Sequence, residues 1–412
     1  MPKLAINGGT PIRTEPYPIW PPVLDAEIEA VNRVLREGQM GRITRFGNGG
    51  SNETDKLREA WTAQYPGKDY ALPCSSCCTA LELALRNAGI GPGDEVITPP
   101  STWVASNLAP SQVGADVVFA DVSPDNYCLD PEAVEAAITE RTRAILLVHV
   151  GGYCARMDEM MAVAERHDLV VIEDCAQAQG SKYKGRFVGT WGHFGCFSFD
   201  VGKLMPSGEG GMLTLDADDL AGDWIYGTCG HAGAQIDALA EGRHIDGWNY
   251  RMTELQAAIL LAKLGRAEEE KWVRIKNAEH LRSRLAEIEG IGDVPHDPEQ
   301  TYYSFMFKYD AAAFKGVHKR RFAEALAAEG INKLFSSPSD QEPAYRSAYF
   351  NPHGRDYSNV FCPVAERAYE HEAIGISGVE VLLGPETDMD QIADAIVKIQ
   401  DNIDELISSD GQ

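Results

Sequence analysis

Two short stretches carry residue types suited to covalent and acid–base chemistry. The first is Leu169-Val-Val-Ile-Glu-Asp-Cys-Ala-Gln-Ala-Gln-Gly180, an apolar run that delivers a carboxylate, Asp174, at its end. An acid there can cap the next turn or face a cationic group, and taken alone the cap is the simpler reading. The second is Cys196-Phe-Ser-Phe-Asp-Val-Gly-Lys-Leu-Met-Pro-Ser-Gly-Glu-Gly-Gly211. It sets Ser198 and Lys203 in a strand-to-loop segment, followed by glycines that let backbone approach a ligand closely. A lysine amine can serve as a nucleophile, although a lone lysine is more often a surface charge.

A third stretch, Pro99-Pro-Ser-Thr-Trp-Val-Ala-Ser106, places Trp103 just after a strand, where a tryptophan ordinarily packs in the core. Nine cysteines stand at 74, 77, 78, 128, 154, 175, 196, 229 and 362, an odd number without two C-x-x-C motifs to make a pair. No zinc site and no disulfide framework is expected from that pattern. The vicinal pair Cys77-Cys78 precedes a helix and has two readings. It is either two small residues filling a tight turn, or a pair with lowered thiol pKa at a helix N-terminus that is sensitive to oxidation.

The elements that must hold these residues follow from hydrophobic periodicity. Short apolar runs over 70–73, 95–98, 117–120, 144–148 and 169–172 alternate with helical stretches over 79–88 and 157–167 and one opened by Asp130-Pro-Glu. Strand, helix and strand in register predict right-handed crossovers and a mainly parallel sheet. Ligand chemistry in such a sheet belongs at the carboxyl ends of the strands. Before it lie a Pro- and Gly-rich stretch over 1–22, expected to pack in extended form, and an amphipathic helix over 25–37 with Ile28, Val31, Val34 and Leu35 on one face and Gly38 as its stop. The glycines of the 38–51 loop follow no strand, so Gly47-Asn-Gly-Gly is a poor dinucleotide fingerprint.

After a helix over 252–264 the strict alternation ends. Residues 263–276 read as a long, charged, solvated helix, 303–309 as a strand, 318–329 as a helix ended by Gly330 and 389–406 as a terminal helix. The expected organisation is an arm over 1–22, a large domain over 23–265 and a smaller α+β domain over 266–412.

Composition bounds the function. The 412 residues carry 37 Lys and Arg against 62 Asp and Glu, a formal charge of -25. A surface this acidic repels phosphate backbones and anionic lipid, which argues against nucleic acid and membrane as partners. No apolar run reaches the roughly 18 residues of a membrane helix, and the opening residues lack the apolar core of a signal peptide. The cytoplasm is the expected compartment.

Taken together the blocks resemble the DegT/DnrJ/EryC1/StrS family of pyridoxal-phosphate aminotransferases, which act on sugars and cyclitols. The likeness rests on Gly89-Ile-Gly-Pro-Gly-Asp-Glu-Val-Ile, Asp130-Pro-Glu-Ala-Val-Glu-Ala-Ala-Ile, Glu173-Asp-Cys-Ala-Gln-Ala, Tyr183-Lys-Gly-Arg, Ser207-Gly-Glu-Gly-Gly, Asn249-Tyr-Arg-Met-Thr-Glu-Leu-Gln-Ala-Ala and Cys362-Pro-Val-Ala-Glu. The form Ser198-Phe-Asp-Val-Gly-Lys-Leu-Met is nearest the branch of 3-amino-5-hydroxybenzoate synthase and the scyllo-inosose aminotransferases. The resemblance implies an α/β fold of aminotransferase fold type I. It implies pyridoxal 5'-phosphate held covalently by Lys203, with Asp174 pairing with the pyridine nitrogen, Trp103 stacked on one ring face and Gln177 approaching from the other.

The phosphate is then expected at the N-terminus of the helix near Thr79, where free amides and the helix dipole favour an anion. Ser198 would add a hydroxyl, and Asn249 an amide from the neighbouring subunit of a homodimer. This chain departs from the family at Ser76-Cys77-Cys78, where Ser-Gly-Thr is usual, so contact through backbone amides of Cys78 and Thr79 replaces a side-chain hydroxyl. A second departure is Gln179, where histidine is common, and it bears on substrate contacts.

The implied activity is transfer of an amino group from glutamate or glutamine to a keto-sugar or keto-cyclitol, in secondary-metabolite or amino-sugar biosynthesis. Family dehydratases replace the lysine with histidine, so Lys203 argues for transamination. The alternative is an aromatising dehydratase like 3-amino-5-hydroxybenzoate synthase, which keeps the lysine. A nicotinamide oxidoreductase lacks its G-x-G-x-x-G here, and a silent cofactor-binding regulator is at odds with the intact Lys203, Asp174 and Ser198. Specificity is expected from loops over 42–52, 229–246 and 335–345.

Overall fold

The computed structural model describes residues 3–38, 40, 52–216, 248–335 and 341–409. The Gly-rich stretch 41–51, the segment 229–246 with Cys229, and residues 336–340 lie outside the described residues.

Helix α1, Asp25–Glu37, opens with Glu27 reaching back to the Leu24 amide and closes on Gly38 at φ 69. A left-handed residue there needs no Cβ, so glycine ends the helix without strain. Helix α2, Glu53–Gln64, is capped by Asn52. Strand β1, Tyr70–Cys74, leads into α3, Cys77–Asn87. There follow β2, Glu95–Thr98, α4, Val104–Gln112, and β3, Asp116–Phe119. Helix α5, Pro131–Ala137, has Asp130 as N-cap and Pro131 at its first position, as the Asp-Pro-Glu opening predicts.

Strand β4, Thr142–Val148, α6, Met157–His167, and β5, Val170–Asp174, complete the alternation. A two-residue hairpin turn joins β6, Lys182–Tyr183, to β7, Arg186–Phe187, before β8, Phe194–Ser198, and β9, Gly211–Leu215.

These strands make a seven-stranded sheet in the order β1-β9-β8-β5-β4-β2-β3. All pairs from β8 to β3 are parallel, while β9 runs against both neighbours. The sheet is therefore mainly parallel, as expected, and covered by helices on an apolar core. The carboxyl ends of β1, β2, β4, β5 and β8 share one edge, because parallel strands put the same end on the same side. The start of β9 comes back to that edge, with Gly211 facing Cys74 and Ser198. A Cβ on Gly211 would lie 2.3 Å from the Ser76 carbonyl and 2.7 Å from the Cys77 nitrogen, so the beginning of α3 rests directly on the backbone of β9.

A second sheet, β10-β11-β13-β12, is antiparallel throughout. Helices α7, Glu254–Leu264, and α8, Ala267–Leu285, precede β10, Ile291–Gly292, and β11, Ser304–Tyr309. Helix α9, Lys319–Ala328, β12, Leu334–Phe335, α10, Pro363–Arg367, and β13, Ala373–Ser377, follow. The chain then forms α11, Glu386–Asp401, and α12, Asp404–Ser409.

Four expectations are corrected. The helix expected from 79 begins at Cys77, because Ser76 and Thr79 form a capping box one turn earlier. The charged helix after 263 is broken at Gly265 and is not solvated on all faces. Lys271, Arg274 and Asn277 are buried, with Arg274 donating to the Gly378 and Val379 carbonyls and Lys271 bonded to Glu299. The terminal helix is interrupted at Asn402, whose side-chain amide donates to the Lys398 carbonyl. In α1 the residues that face inward are Glu27, Ala30 and Val34, while Ile28 and Leu35 are half exposed.

The arm packs extended on its own chain. Glu329 accepts from the Ala5 and Ile12 amides, Lys398 donates to the Thr10 carbonyl at 2.7 Å, and Arg13 pairs with Asp388 at 2.7 Å. Its far end carries Trp20, whose indole N–H donates to the Lys203 carbonyl at 3.3 Å. Trp20 thus reaches the turn that carries Lys203 within its own chain.

Candidate active site

The strand ends and the turn after β8 enclose a cavity of about 390 Å³. Lys203, Asp174, Ser198, Gln177, Trp103 and Cys78 all line it, together with Ser106, Asp200, Glu209 and Tyr303. Residues separated by more than a hundred positions in sequence meet there because the strand ends and the turns and helix starts after them share one edge of the sheet.

Asp174 is buried as the last residue of β5. Its Oδ2 accepts from Ser106 Oγ at 2.7 Å, its Oδ1 from the Ala176 amide at 2.9 Å, and the Cys77 thiol approaches Oδ1 at 3.8 Å. These donors fix the orientation of the carboxylate. They leave lone pairs for one more donor from the cavity.

The neighbouring Glu173 points to the other side of the strand, as strand alternation requires. There it accepts from the amides of Gly189, Trp191 and Gly192 at 2.7 to 2.8 Å and from His149 Nε2 at 3.1 Å. Nδ1 of His149 accepts from the Ala155 amide, which leaves the proton on Nε2. His149, Glu173 and Cys175 lie close enough to share a cation, yet hydrogen bonds already account for the Glu173 carboxylate and both imidazole nitrogens. The cluster fixes the loop after β7 to β5.

Lys203 lies in the turn between β8 and β9, its amide bonded to the Asp200 carbonyl. Its amine has no hydrogen-bond or ion-pair partner among the described residues and sits 4.9 Å from the centre of the Tyr303 ring. Ser198 ends β8, with its hydroxyl 3.4 Å from the Asp200 amide. The Gln177 side-chain oxygen accepts from the Gly151 amide at 2.6 Å, which fixes it at the cavity wall. Trp103 begins α4 and remains 57% exposed, so it is no core residue, and its ring is free to cover a ligand.

Two expected residues stand elsewhere. Thr79 does not line the cavity, since its hydroxyl donates to the Ser76 carbonyl and accepts from the Ser76 amide, and its own N–H goes to Ser76 Oγ at 3.2 Å. The amides left at the start of α3 are those of Cys77 and Cys78. Asn249 is exposed, with its side-chain oxygen taking the Arg251 amide at 3.3 Å, and lies beside the β1 end, where the Ser75 amide bonds the Tyr250 carbonyl.

The lowered-pKa reading of the cysteine pair is overturned. Burial, with Asp174 beside it, pushes the Cys77 thiol well above the ordinary range, and burial raises the exposed-side Cys78 as well. Loss of hydration and a neighbouring carboxylate outweigh the helix terminus. Gln179 is not at the cavity either. It is buried and donates to the Ser198 carbonyl at 2.6 Å, holding the end of β8.

Sequence reading missed Ser106, Cys77 and Tyr303. Ser106 ends the same block as Trp103, one helical turn on, and that spacing was the available signal. Tyr303 immediately precedes strand β11 of the second sheet, and nothing local marks which residue near that sheet reaches the cavity.

Comparison with known proteins agrees with this geometry. A provisionally named L-glutamine:3-amino-2,3-dideoxy-scyllo-inosose aminotransferase of Micromonospora echinospora is 38% identical over 99% of each chain. An L-glutamine:2-deoxy-scyllo-inosose aminotransferase of Streptoalloteichus tenebrarius is 36% identical over 96% of this chain and 97% of its own. The crystal structure of 3-amino-5-hydroxybenzoic acid synthase superposes with a TM-score of 0.77 at 29% identity, covering 94% of this chain and 99% of that one. Residues 24–392 match the description "DegT/DnrJ/EryC1/StrS aminotransferase family". With the strand-end carboxylate, the turn lysine and the aromatic of this family gathered in one cavity, the chain belongs to the DegT/DnrJ/EryC1/StrS aminotransferases.

Proposed function

We propose that this aminotransferase uses pyridoxal 5'-phosphate to move an amino group from glutamine or glutamate to the ketone of a cyclitol or sugar ring. The observation that carries the reading is the pairing of an unpartnered Lys203 amine with a hydrogen-bonded Asp174 carboxylate in one cavity. The donor set fits the cofactor. Lys203 would hold it covalently, Asp174 would face the pyridine nitrogen, and Trp103 and Gln177 would flank the ring. Ser198 and the free amides at the start of α3 suit the phosphate. When bound, the cofactor supplies an electron sink for the carbanion formed at the donor or acceptor carbon.

The chain's own residues do the rest. The Lys203 amine moves a proton between the reacting carbons, for which it must be close to both and unpaired. Ser106 and the Ala176 amide hold Asp174 aimed into the cavity, so that it can face the pyridine nitrogen.

Division of the chain into an arm over 1–22, a large domain over 23–265 and a small domain over 266–412 is part of this reading, supported by the two separate sheets. So is a homodimer. The outward apolar face of α1, with Val23, Ile28, Val31 and Ile259, forms a groove of about 390 Å³ that runs to Pro206, just beyond Lys203. A partner seated there would bring its own residues near the active site, the arrangement in which Asn249 serves the neighbour's phosphate.

The aromatising dehydratase remains the second reading because of the likeness to 3-amino-5-hydroxybenzoic acid synthase. The higher identity to the two scyllo-inosose aminotransferases favours transamination. The deciding experiment is incubation of the cofactor-loaded protein with L-glutamine followed by scyllo-inosose. An aminocyclitol product supports the reading, and its absence with loss of water from a cyclic aminoketone supports the alternative.

A further inference from the structure

Tyr303 is the one residue of the second sheet's strand β11 region that lines the cavity; it stands immediately before Ser304, where β11 begins. Its backbone is pinned, because the Gly378 amide donates to the Tyr303 carbonyl at 2.9 Å. Its ring lies parallel to that of Phe335, with centres 6.3 Å apart and planes at 10°. Phe335 in turn pairs with Gly375 in β13, and the absent side chain at 375 leaves room for it, since a Cβ there would come within 3.3 to 3.4 Å of the Phe335 side chain. The tyrosine is thus stacked on Phe335 while its ring borders the Lys203 amine at 4.9 Å. Its hydroxyl has no hydrogen-bond partner among the described residues.

A carbon that exchanges a proton with Lys203 must come to roughly 3 Å from that amine. A substrate so placed borders the Tyr303 ring, whose centre lies 4.9 Å from that amine in the same cavity. An aromatic face carries partial negative charge and attracts polarised hydrogens. A six-membered polyol ring with equatorial hydroxyls presents only C–H bonds on each face, whereas its hydroxyls point outward from the rim.

We infer that Tyr303 is a specificity-determining residue whose ring face packs against the C–H face of a cyclic polyol ketone, the acceptor. This rests on the function proposed above and names the wall that selects ring-shaped acceptors. The face, rather than the hydroxyl, does the selecting, since the ring is what borders the amine.

The test compares the wild-type holoenzyme with Tyr303→Phe and Tyr303→Leu in the two half-reactions taken separately. Phe keeps the face and removes the hydroxyl, and Leu keeps apolar bulk without the face. The concentration of scyllo-inosose that half-saturates amination should rise about five-fold in Tyr303→Leu and stay within roughly two-fold in Tyr303→Phe, the scale of one aromatic contact. That for L-glutamine should change less than about two-fold in both, because the donor has no polyol ring to lay on the face. In borohydride-reduced, inactive enzyme, calorimetric binding of scyllo-inositol should weaken in the Leu variant alone. Unchanged ketone saturation in Tyr303→Leu, an equal loss in Tyr303→Phe, an equal loss for glutamine, or no scyllo-inositol binding by the reduced wild-type enzyme would each overturn the assignment. A wild-type enzyme that accepts the amino group of glutamine but aminates no cyclic ketone refutes the function reading itself.

Discussion

Ser106 Oγ and Asp174 Oδ2 are 2.7 Å apart, although 68 positions separate them in the chain. One belongs to the first turn of α4, beside Trp103, and the other ends β5. The bond ties the element that presents the aromatic cover to the carboxylate beneath it. Both oxygens of Asp174 therefore have a donor, and the carboxylate cannot turn without breaking one of them.

Ser106→Ala removes the donor and leaves a buried carboxylate oxygen bare. The glutamine half-reaction should slow by about ten-fold, the equivalent of one hydrogen bond to a charged group at ~1.5 kcal/mol. Asp174→Asn should slow it much further while leaving the fold intact. Stopped-flow absorbance in the cofactor band measures both, and near-normal rates in Asp174→Asn would show that the residue merely caps its turn.

Lys203 should be the sole lysine that borohydride fixes to the cofactor. Peptide mapping after reduction reads the site directly. Label found on Lys182 or Lys184, which pair with Glu299 and Asp158, would remove the basis for the catalytic assignment.

Glu173 has a structural job beside a chemical neighbour. In Glu173→Gln the amide has one acceptor oxygen for the three loop amides and His149, so unfolding stability should fall by about 3 kcal/mol. Urea denaturation gives the loss. The variant's remaining folded fraction should still take up cofactor, because Asp174 faces the other side of the strand.

Burial holds the thiols of Cys77, Cys175 and Cys196 well above the ordinary value. The folded chain keeps those protons where the unfolded chain releases them. Their contribution is complete below an unfolded thiol pKa of about 8.5 and declines as pH rises beyond it. The urea midpoint should be lower at pH 9.5 than at pH 7.5 (roughly one unit either side of that value), and Cys175→Ala should flatten the difference. Iodoacetamide should reach the exposed Cys78 first among the described cysteines, and cofactor should slow it. Equal midpoints at both pH values would count against the linkage.

Asn249→Ala should weaken cofactor retention about ten-fold without unfolding either chain, if the residue completes the phosphate site of a partner by a hydrogen bond to a charged group. Sedimentation across a dilution series, with and without cofactor, should show the dimer favoured by the cofactor. A monomer that is fully active at assay concentration would remove the role given to Asn249.

Much of this was legible in the sequence because parallel α/β elements write their boundaries locally. Asp130-Pro131 opened a helix as read, Gly38 closed one, and Asp174 stood at its strand end. What escaped was set by tertiary contact. The charges of Lys271 and Arg274 suggested a solvated helix, yet carbonyls and Glu299 across the fold satisfy them in a buried setting. Thr79 was expected at the anion, but the capping box with Ser76 claimed both its hydroxyl and its amide. Tyr303 joined the cavity only through the docking of the second sheet, which no local pattern announces.

The contact of Gly211 with the Ser76–Cys77 backbone bears on how this site could be remodelled. At that point main chain rests on main chain, so no side chain stands between β9 and the start of α3 whose exchange could widen or narrow the cavity there. Redesign for a different acceptor therefore has little freedom at this point, where a methyl group at 211 alone would displace the helix. Tyr303, which comes from beside a separate sheet, is under no such constraint, and libraries aimed at new ring sizes belong there.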